Sequence, residues 1–322
     1  MIAAATLLIG GALGWYAGPK HGPALPSPVE VRKNTTPQYD LIDPLVFTDS
    51  DQRFFTEYDQ LDKQIDGYVK NAEDSFSATS VSVYYRDLNN GHWTGTNEDE
   101  TFEPSSMLKV AVMISYLLDA ISNQDILSKQ IYYSGKDESG QYYTSSTTLS
   151  QGYHTVQELI DNMIINSDNV AALALISNDQ NTFQAVYNDF RLPPTPEGPV
   201  TDYMTAKSYS VIFRALYNAS YLTRTLSQRA LQLLTRTGFT KGLVAGVPKG
   251  TVVAHKFGEH TYSLSDGTPV SRELHDCGIV YYPDHPYLLC IMTKGKDFPA
   301  LESVISGISS LVYDYVNESQ AK

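Results

Sequence analysis

The feature of this sequence that most constrains its fold is an apolar segment that carries one lysine. After Pro104 the chain continues Ser-Ser-Met-Leu-Lys-Val-Ala-Val-Met-Ile, and Lys109 is the sole charged residue over 105–114. A helix that is apolar on every face is expected in a core rather than on a surface. A buried lysine is costly unless it has hydrogen-bond partners or a lowered pKa. The fold must therefore bring polar groups to Lys109.

Ser106 lies three residues before Lys109, on the same face of the predicted helix. A neutral lysine can take the proton of a serine hydroxyl and so turn the hydroxyl into a nucleophile. The alternative is that Ser106 only caps the helix N-terminus, as serine often does. The pair alone does not decide, because Ser319 and Lys322 repeat the same spacing in a polar tail.

Two further segments place polar residues within apolar patterns. Ser167-Asp168-Asn169 interrupts a helical run, and taken alone it is typical of a helix N-cap. Residues 252–258 have the pattern of a strand with Lys256 near its end. Taken alone, that lysine is typical of an edge strand protected against aggregation.

Strand patterns lie near both ends of the chain, and helical patterns lie between them. Alternation and turn signals predict strands at 80–85, 92–96, 251–257, 278–282 and 287–293. Helical periodicity predicts helices over 50–72 and 301–315, and residues 105–235 are predicted to be mostly helical. This order indicates an α+β fold, in which a helical lobe is inserted into an antiparallel sheet.

Taken in order, the three polar segments resemble the S-x-x-K, S-D-N and K-T-G motifs of penicillin-recognising serine hydrolases, specifically the class A β-lactamase-like branch. The resemblance runs from about Ser80 to Leu311. It implies a β-lactamase/DD-peptidase-like fold, with an antiparallel sheet flanked by helices and an inserted all-helical lobe at about 105–235. The hydrolase domain is expected over residues 49–317, followed by a tail at 318–322.

The resemblance also implies catalytic roles. Ser106 would attack an amide or lactam carbonyl, and Lys109 would be its base. Ser167 would pass a proton to the leaving nitrogen, and Asn169 would hold the substrate amide and Lys109. The backbone N–H groups of Ser106 and Glu259 would form the oxyanion hole.

The third motif is expected to bind substrate. Lys256 would supply positive charge for a substrate carboxylate and help to keep Lys109 neutral. Gly258 would let the substrate backbone approach the strand closely. Phe257 departs from the family pattern, which has a hydroxyl residue there, so recognition of a penicillin-like acid is expected to be weakened or rearranged.

The loop glutamate that activates the deacylating water in class A β-lactamases has no clear counterpart. The segment 189–199 is short and proline-rich, and Glu197 lacks the asparagine that follows four residues later in that family. We therefore predict an acyl-enzyme on Ser106, formed with β-lactams or D-Ala-D-Ala-like peptides, and slow β-lactam turnover. Two alternatives remain: a membrane-anchored, non-hydrolysing domain that binds or senses β-lactams or peptidoglycan, and a serine glutaminase of the same fold.

The N-terminus indicates export. Residues 2–17 are apolar and uncharged, and residues 18–44 contain six prolines. We predict a signal or membrane anchor at 1–17, a proline-rich linker at 18–48, and an extracytoplasmic domain held to the membrane through residues 2–17. A buried helix is the alternative for residues 2–17.

Charge and cysteine content exclude other classes of partner. A net charge of −13 without a Lys/Arg cluster argues against nucleic acid. The spacing of His255, His260 and His275 fits no metal signature, so neither a metal nor another cofactor is expected. Cys277 and Cys290 lie on successive predicted strands and could be free or bridged. We expect a monomer whose partner is a β-lactam or a peptidoglycan stem peptide.

Overall fold

The protein is built around a five-stranded antiparallel sheet. A computed structural model describes residues 30–32, 39–48, 58–137, 141–143, 149–196 and 201–320. The central strands are β3 (Ser80–Asp87), β4 (Trp93–Thr96), β9 (Val253–Ser263), β10 (Pro269–Val280) and β11 (Tyr287–Gly295). Their order across the sheet is β4-β3-β11-β10-β9. The two ends of the chain thus form one sheet, which confirms the predicted α+β class.

Short strands and helices complete the described fold. Three two-stranded ribbons pair β1 (Glu30–Arg32) with β2 (Leu45–Thr48), β5 (Thr101–Phe102) with β8 (Met204–Thr205), and β6 (Gln130–Tyr133) with β7 (Gly152–Thr155). The helices are α1 (Asp59–Asp74), α2 (Lys109–Ser122), α3 (Val156–Ile165), α4 (Asn169–Asn178), α5 (Gln180–Asp189), α6 (Ala206–Tyr217), α7 (Arg224–Leu234) and α8 (Phe298–Gln320).

The sheet separates two apolar layers. On one face, α1 and α8 pack through residues such as Leu61, Ile65 and Ile305. On the other face, the sheet packs against α2 to α7, which form the predicted helical lobe. The short turn Ser105–Leu108 contacts β9, so the start of α2 meets the sheet edge where the two lobes join.

Helix α2 is the buried core helix that the apolar segment predicts. Every residue from Lys109 to Leu117 is buried. The stretch Ser105–Ser122 is, within the described ranges, the single helix long and apolar enough to cross a membrane, and 61% of it is buried inside the protein. Its apolarity is therefore accounted for by the core. The predicted anchor at 1–17 lies outside the described residues.

The segment 39–44 was predicted to belong to the linker 18–48, but it packs on the helical lobe. Leu41 and Ile42 are only 7% and 2% exposed. The Leu41 N–H donates to Gln228 Oε1 at 2.9 Å, and the Asp43 N–H donates to the Tyr217 carbonyl at 2.9 Å. The linker prediction therefore extends too far, because neighbouring prolines obscured a short apolar contact. At the other end, α8 continues through most of the predicted tail at 318–322.

The late strands β9 and β10 form a longer hairpin than the pattern indicated. Their outer ends are mostly polar and only partly buried, so periodicity gave no strand signal there. Cys277 and Cys290 face each other across β10 and β11 and form a disulfide. The register of β10 against β11 thus decides whether the two cysteines are free or bridged, which the sequence left open.

Candidate active site

Ser106 lies in the tight turn Ser105–Leu108 that precedes α2. Two contacts fix this turn: the Tyr209 hydroxyl donates to the Met107 carbonyl at 2.7 Å, and the Glu103 N–H donates to the buried Glu273 carboxylate at 2.9 Å. The residues at the N-caps of this turn and of α2 are Pro104 and Leu108, and the Ser105 N–H is bound by Glu103 Oε1 at 3.2 Å rather than by the Ser106 hydroxyl. The capping alternative for Ser106 is therefore wrong, and its hydroxyl is free to meet Lys109.

Lys109 is the centre of a hydrogen-bonded cluster. Its side chain is 5% exposed, and its Nζ lies 2.8 Å from Ser106 Oγ. The same Nζ lies 2.6 Å from the Ser167 carbonyl oxygen, 3.2 Å from Ser167 Oγ and 2.7 Å from Asn169 Oδ1. The first two sequence motifs therefore meet at one amine.

Burial lowers the pKa of Lys109 to about 7, and the carboxylates of Asp168 and Glu259 oppose part of this shift. Desolvation is the dominant cause because a charged ammonium is disfavoured where water is excluded. Close to neutral pH, a large fraction of Lys109 is thus a neutral amine. Such an amine, 2.8 Å from Ser106 Oγ, can accept the hydroxyl proton.

The second motif combines the helix cap with the polar cluster. Asp168 is the N-cap of α4, and its Oδ1 accepts the Ala171 N–H at 2.9 Å. Its Oδ2 accepts the Tyr133 hydroxyl and the Asn162 side-chain amide, each at 2.7 Å. Ser167 adopts a positive φ of 54°, a conformation that few non-glycine residues take. Asp168 thus fixes the positions of Ser167 and Asn169 beside Lys109.

Lys256, in the third motif, is fully buried although β9 is a sheet edge. Its Nζ donates to Ser167 Oγ at 2.9 Å and to the Phe257 carbonyl at 3.0 Å. Burial, together with the charge of Lys109, lowers the pKa of Lys256. A protective surface role is therefore wrong for this lysine. The Ser167 hydroxyl lies between two amines.

Phe257 packs in the apolar layer that α1 and α8 form on the sheet. Its side chain is 5% exposed, stacks on Phe239 with ring centroids 4.4 Å apart, and meets Tyr143 edge-on at 5.6 Å. Its ring also lies 4.2 Å from Lys256 Nζ. Phe257 therefore supports the lysine from the apolar layer, and its predicted place among the substrate-binding residues stays a prediction.

Gly258 packs closely against the turn that carries Ser106. A Cβ at this position would lie 2.7 Å from the Pro104 carbonyl oxygen and 2.9 Å from Met107 Cγ. Glycine is needed here because β9 packs directly on the turn that carries Ser106. The close approach sets the distance between the two backbone segments that were assigned to the oxyanion hole.

The Glu259 side chain makes contacts that the sequence did not reveal. The sequence analysis assigned a role only to the backbone N–H of Glu259. Its carboxylate accepts the N–H groups of Tyr142 and Tyr143, at 3.0 and 3.1 Å. Burial raises the pKa of Glu259, while these hydrogen bonds and the charges of Lys256 and Lys109 oppose the rise. A negative charge of the protein thus lies near both lysines.

The remaining candidates have structural partners or lie elsewhere. His255 Nδ1 lies 2.7 Å from Asp276 Oδ1, and His275 Nε2 lies 3.0 Å from the Glu103 carbonyl oxygen. His260 packs edge-on against Tyr262. Across the ranges that the structure describes, His, Cys, Asp and Glu side chains form no group able to hold a metal ion. Glu197 lies outside the described residues.

The fold and the sequence both relate this chain to known proteins. The structure resembles TLA-3 extended-spectrum β-lactamase, with a TM-score of 0.68, 18% identity, and coverage of 80% of this chain and 98% of that one. It also resembles an acyl-enzyme complex of a PBP-A mutant with penicillin G, with a TM-score of 0.67 and 18% identity; the match covers 81% of this chain and 97% of that one. The β-lactamase from Burkholderia phymatum matches with a TM-score of 0.66 and 18% identity, over 79% of this chain and 98% of that one.

These likenesses show a shared fold. No curated protein sequence matches the chain. A sequence model described as the β-lactamase enzyme family matches residues 60–316, which is most of the chain and includes all three motifs. The chain therefore belongs to the β-lactamase enzyme family.

Proposed function

We propose that the protein is a serine hydrolase that forms an acyl-enzyme on Ser106 with β-lactams or D-Ala-D-Ala-like peptides. The observation that carries the proposal is the buried Lys109 amine, 2.8 Å from Ser106 Oγ and with a pKa of about 7. A serine hydroxyl is a weak nucleophile until a neighbouring base removes its proton. Lys109 supplies that base.

The proton then has a short path to the leaving group. As Ser106 Oγ bonds to the carbonyl carbon, its proton passes to Lys109 Nζ. The carbonyl carbon–nitrogen bond breaks, and the nitrogen takes a proton from the Ser167 hydroxyl. Ser167 recovers its proton from Lys109, whose Nζ is 3.2 Å away, and Lys256 Nζ at 2.9 Å holds the hydroxyl in place. The base is thereby restored to its neutral form.

The oxyanion is stabilised in this proposal by the backbone N–H groups of Ser106 and Glu259. The close packing of Gly258 on Pro104 and Met107 supports the assignment, because it holds β9 against the nucleophile turn. One such donor contributes about 3 kcal/mol to the transition state. The hole is therefore as important to the rate as the base.

Hydrolysis of the acyl-enzyme is expected to be slow. Asp168 and Glu259 are the carboxylates whose charge affects Lys109, and both already accept hydrogen bonds from other parts of the protein. Neither is well placed to activate a water molecule, and efficient deacylation needs such a base. We therefore propose a long-lived adduct with β-lactams.

Labelling by a fluorescent penicillin tests this function. Wild-type protein should acquire a covalent label, and Ser106→Ala should not. Ser105→Ala is the matched control, because it removes the adjacent hydroxyl and should retain the label. Intact mass followed over hours gives the adduct lifetime. Labelling of Ser106→Ala at the wild-type rate would overturn the nucleophile, and rapid loss of the adduct would overturn slow deacylation.

An unlabelled wild-type protein would instead support the non-hydrolysing binding or sensor domain.

In either case we propose an extracytoplasmic location, anchored or exported through residues 1–17. The Cys277–Cys290 disulfide supports this proposal, since such bonds persist mainly in oxidising compartments.

A further inference from the structure

Two buried side chains of β10 hold the backbone of Glu103 on both sides. The Glu103 N–H donates to Glu273 Oε2 at 2.9 Å, and the Glu103 carbonyl oxygen lies 3.0 Å from His275 Nε2. Glu273 and His275 are two residues apart on one strand, so they point to the same face of the sheet. Both are 0% exposed. We call this pair the Glu103 clamp; it acts three residues before Ser106.

The hydrogen bonds of His275 define which ring nitrogen carries the proton. The Thr293 N–H donates to His275 Nδ1 at 3.2 Å, so Nδ1 is an acceptor. Nε2 therefore carries the hydrogen and donates it to the Glu103 carbonyl oxygen. The ring also meets Phe102 edge-on, with centroids 5.4 Å apart. His275 is thus oriented by β11 on one side and by the chain that leads to Ser106 on the other.

The second carboxylate oxygen of Glu273 keeps that side chain in place. Glu273 Oε1 lies 2.9 Å from Lys294 Nζ, and the Tyr262 hydroxyl donates to it at 3.4 Å. Lys294 also lies 2.7 Å from Asp202 Oδ2. A buried carboxylate is costly unless it is paired and hydrogen-bonded. Glu273 meets this requirement through Oε1, which leaves Oε2 directed at the Glu103 N–H.

The turn beyond the clamp has a backbone conformation that needs support. Ser105 has a φ of 47°, which few non-glycine residues adopt and which persists only where surrounding contacts impose it. On one side of Ser106, the Tyr209 hydroxyl holds the Met107 carbonyl at 2.7 Å. On the other side, the Ser105 N–H donates to Glu103 Oε1 at 3.2 Å. The clamp therefore secures the end of the turn that Tyr209 does not reach.

We propose that Glu273 and His275 are positioning residues, which hold Ser106 Oγ within reach of Lys109 by fixing the backbone of Glu103. The inference rests on the proposed function and adds to it two residues that act through the chain before the nucleophile. Without the clamp, Ser105 can relax its positive φ, and the 2.8 Å contact between Ser106 and Lys109 is lost for much of the time. A displacement of about 1 Å costs about a hundredfold in rate.

Glu273→Met and Glu273→Gln form a matched pair for the test. Both side chains are similar in length to glutamate, but only glutamine keeps an oxygen that can accept the Glu103 N–H. Lys294 is partly exposed and retains Asp202, so it can move away from the new amide. Labelling of Ser106 by a fluorescent penicillin is measured over a range of concentrations, which separates the limiting acylation rate from the half-saturating concentration.

Glu273→Met should lower the limiting rate by about tenfold or more and leave the half-saturating concentration unchanged, because only the alignment of the nucleophile is altered. Glu273→Gln should recover most of the rate. His275→Phe keeps the edge contact with Phe102 but lacks the N–H that binds the Glu103 carbonyl, so it should slow acylation in the same way.

Thr293→Val is the control for a merely structural effect. It removes a buried hydroxyl that donates to the Leu274 carbonyl at 2.6 Å, and it keeps the N–H that binds His275. The endpoint of labelling counts folded molecules, whereas the rate constant reports on their alignment. Thr293→Val should therefore lower thermal stability and leave the limiting rate as it is in wild-type protein.

Three results would overturn the inference: a wild-type limiting rate in Glu273→Met and His275→Phe, a rate in Glu273→Gln as low as that in Glu273→Met, or an equal loss of rate in Thr293→Val. If Glu273→Met shows no cooperative thermal unfolding, His275→Phe decides, since it keeps an aromatic ring and the pair between Glu273 and Lys294.

Failure of the proposed function gives a distinct result, namely no adduct on Ser106 of wild-type protein. The clamp is then tested by amide hydrogen exchange over residues 103–107, which needs no reaction with a substrate. Faster exchange there in His275→Phe than in Thr293→Val supports the clamp. Equal exchange in the two variants overturns it.

Discussion

Replacing Gly258 by alanine tests whether the contact between β9 and the nucleophile turn sets the reaction geometry. The new Cβ would lie 2.7 Å from the Pro104 carbonyl oxygen and 2.9 Å from Met107 Cγ, whereas ordinary contacts lie between 3.4 and 4 Å. One partner is backbone, so a side-chain rotation cannot relieve the overlap. The strand and the turn must separate by several tenths of an ångström.

Two effects of different size follow from Gly258→Ala. Overpacking of this kind lowers the free energy of unfolding by about 1–3 kcal/mol. Displacing one oxyanion donor removes about 3 kcal/mol of transition-state stabilisation, or about a hundredfold in rate. Acylation should therefore fall far more than the folded fraction, since a protein that stays folded still loses the alignment of Ser106 and Glu259.

The assay is the second-order rate of acylation by a fluorescent penicillin, with thermal unfolding measured alongside. Gly67→Ala is the matched control, because Gly67 is exposed on α1 and a Cβ there meets nothing within 4 Å. That variant should acylate normally and gain up to about 1 kcal/mol in stability from helix propensity. Wild-type acylation by folded Gly258→Ala would refute the argument.

Two further predictions concern the supports of the site. In wild-type protein, Asp168 Oδ2 accepts hydrogen bonds from the Tyr133 hydroxyl and the Asn162 amide. Asp168→Asn replaces this carboxylate with an amide that also carries N–H donors, so one of these contacts is lost. The free energy of unfolding should therefore fall by about 1–3 kcal/mol in a denaturant titration. The same change removes a charge that raises the pKa of Lys109, so the pH midpoint of acylation should move down; an unmoved midpoint would contradict this. Replacing Cys277 and Cys290 together by alanine should cost about 2–4 kcal/mol with little effect on the acylation rate of folded protein; unchanged stability, or a large loss of rate, would count against a purely structural disulfide.

The motif lysines were predictable because the surrounding pattern is so apolar. Lys109 is the one charge over residues 105–114, in a segment apolar enough to require burial, so a partnered lysine followed from sequence alone. The apolar pattern could not decide whether Ser106 caps a helix. It also could not decide whether Lys256 protects an edge strand against aggregation. Both questions depend on contacts between segments far apart in the chain, such as the bond from Lys256 to Ser167.

Other features of the site carried no sequence signal. The Glu259 carboxylate binds the N–H groups of residues 142–143, more than a hundred positions earlier, in a loop without periodicity. The role of Gly258 depends on how closely β9 approaches the nucleophile turn, and that distance is a product of tertiary packing. A single charged or small residue in a strand does not reveal what lies opposite it.

The pH dependence of acylation tests the central claim, that Lys109 removes the proton of Ser106, most directly. The pKa of Lys109 is lowered to about 7, so the base is protonated below that pH and free above it. The second-order rate should therefore rise from pH 5 and reach half its maximum near pH 7. Lys109→Arg keeps a permanent charge and should lose both the rise and most of the rate. A wild-type rate that stays constant from pH 5 to 9, or an unchanged profile in Lys109→Arg, would contradict the account.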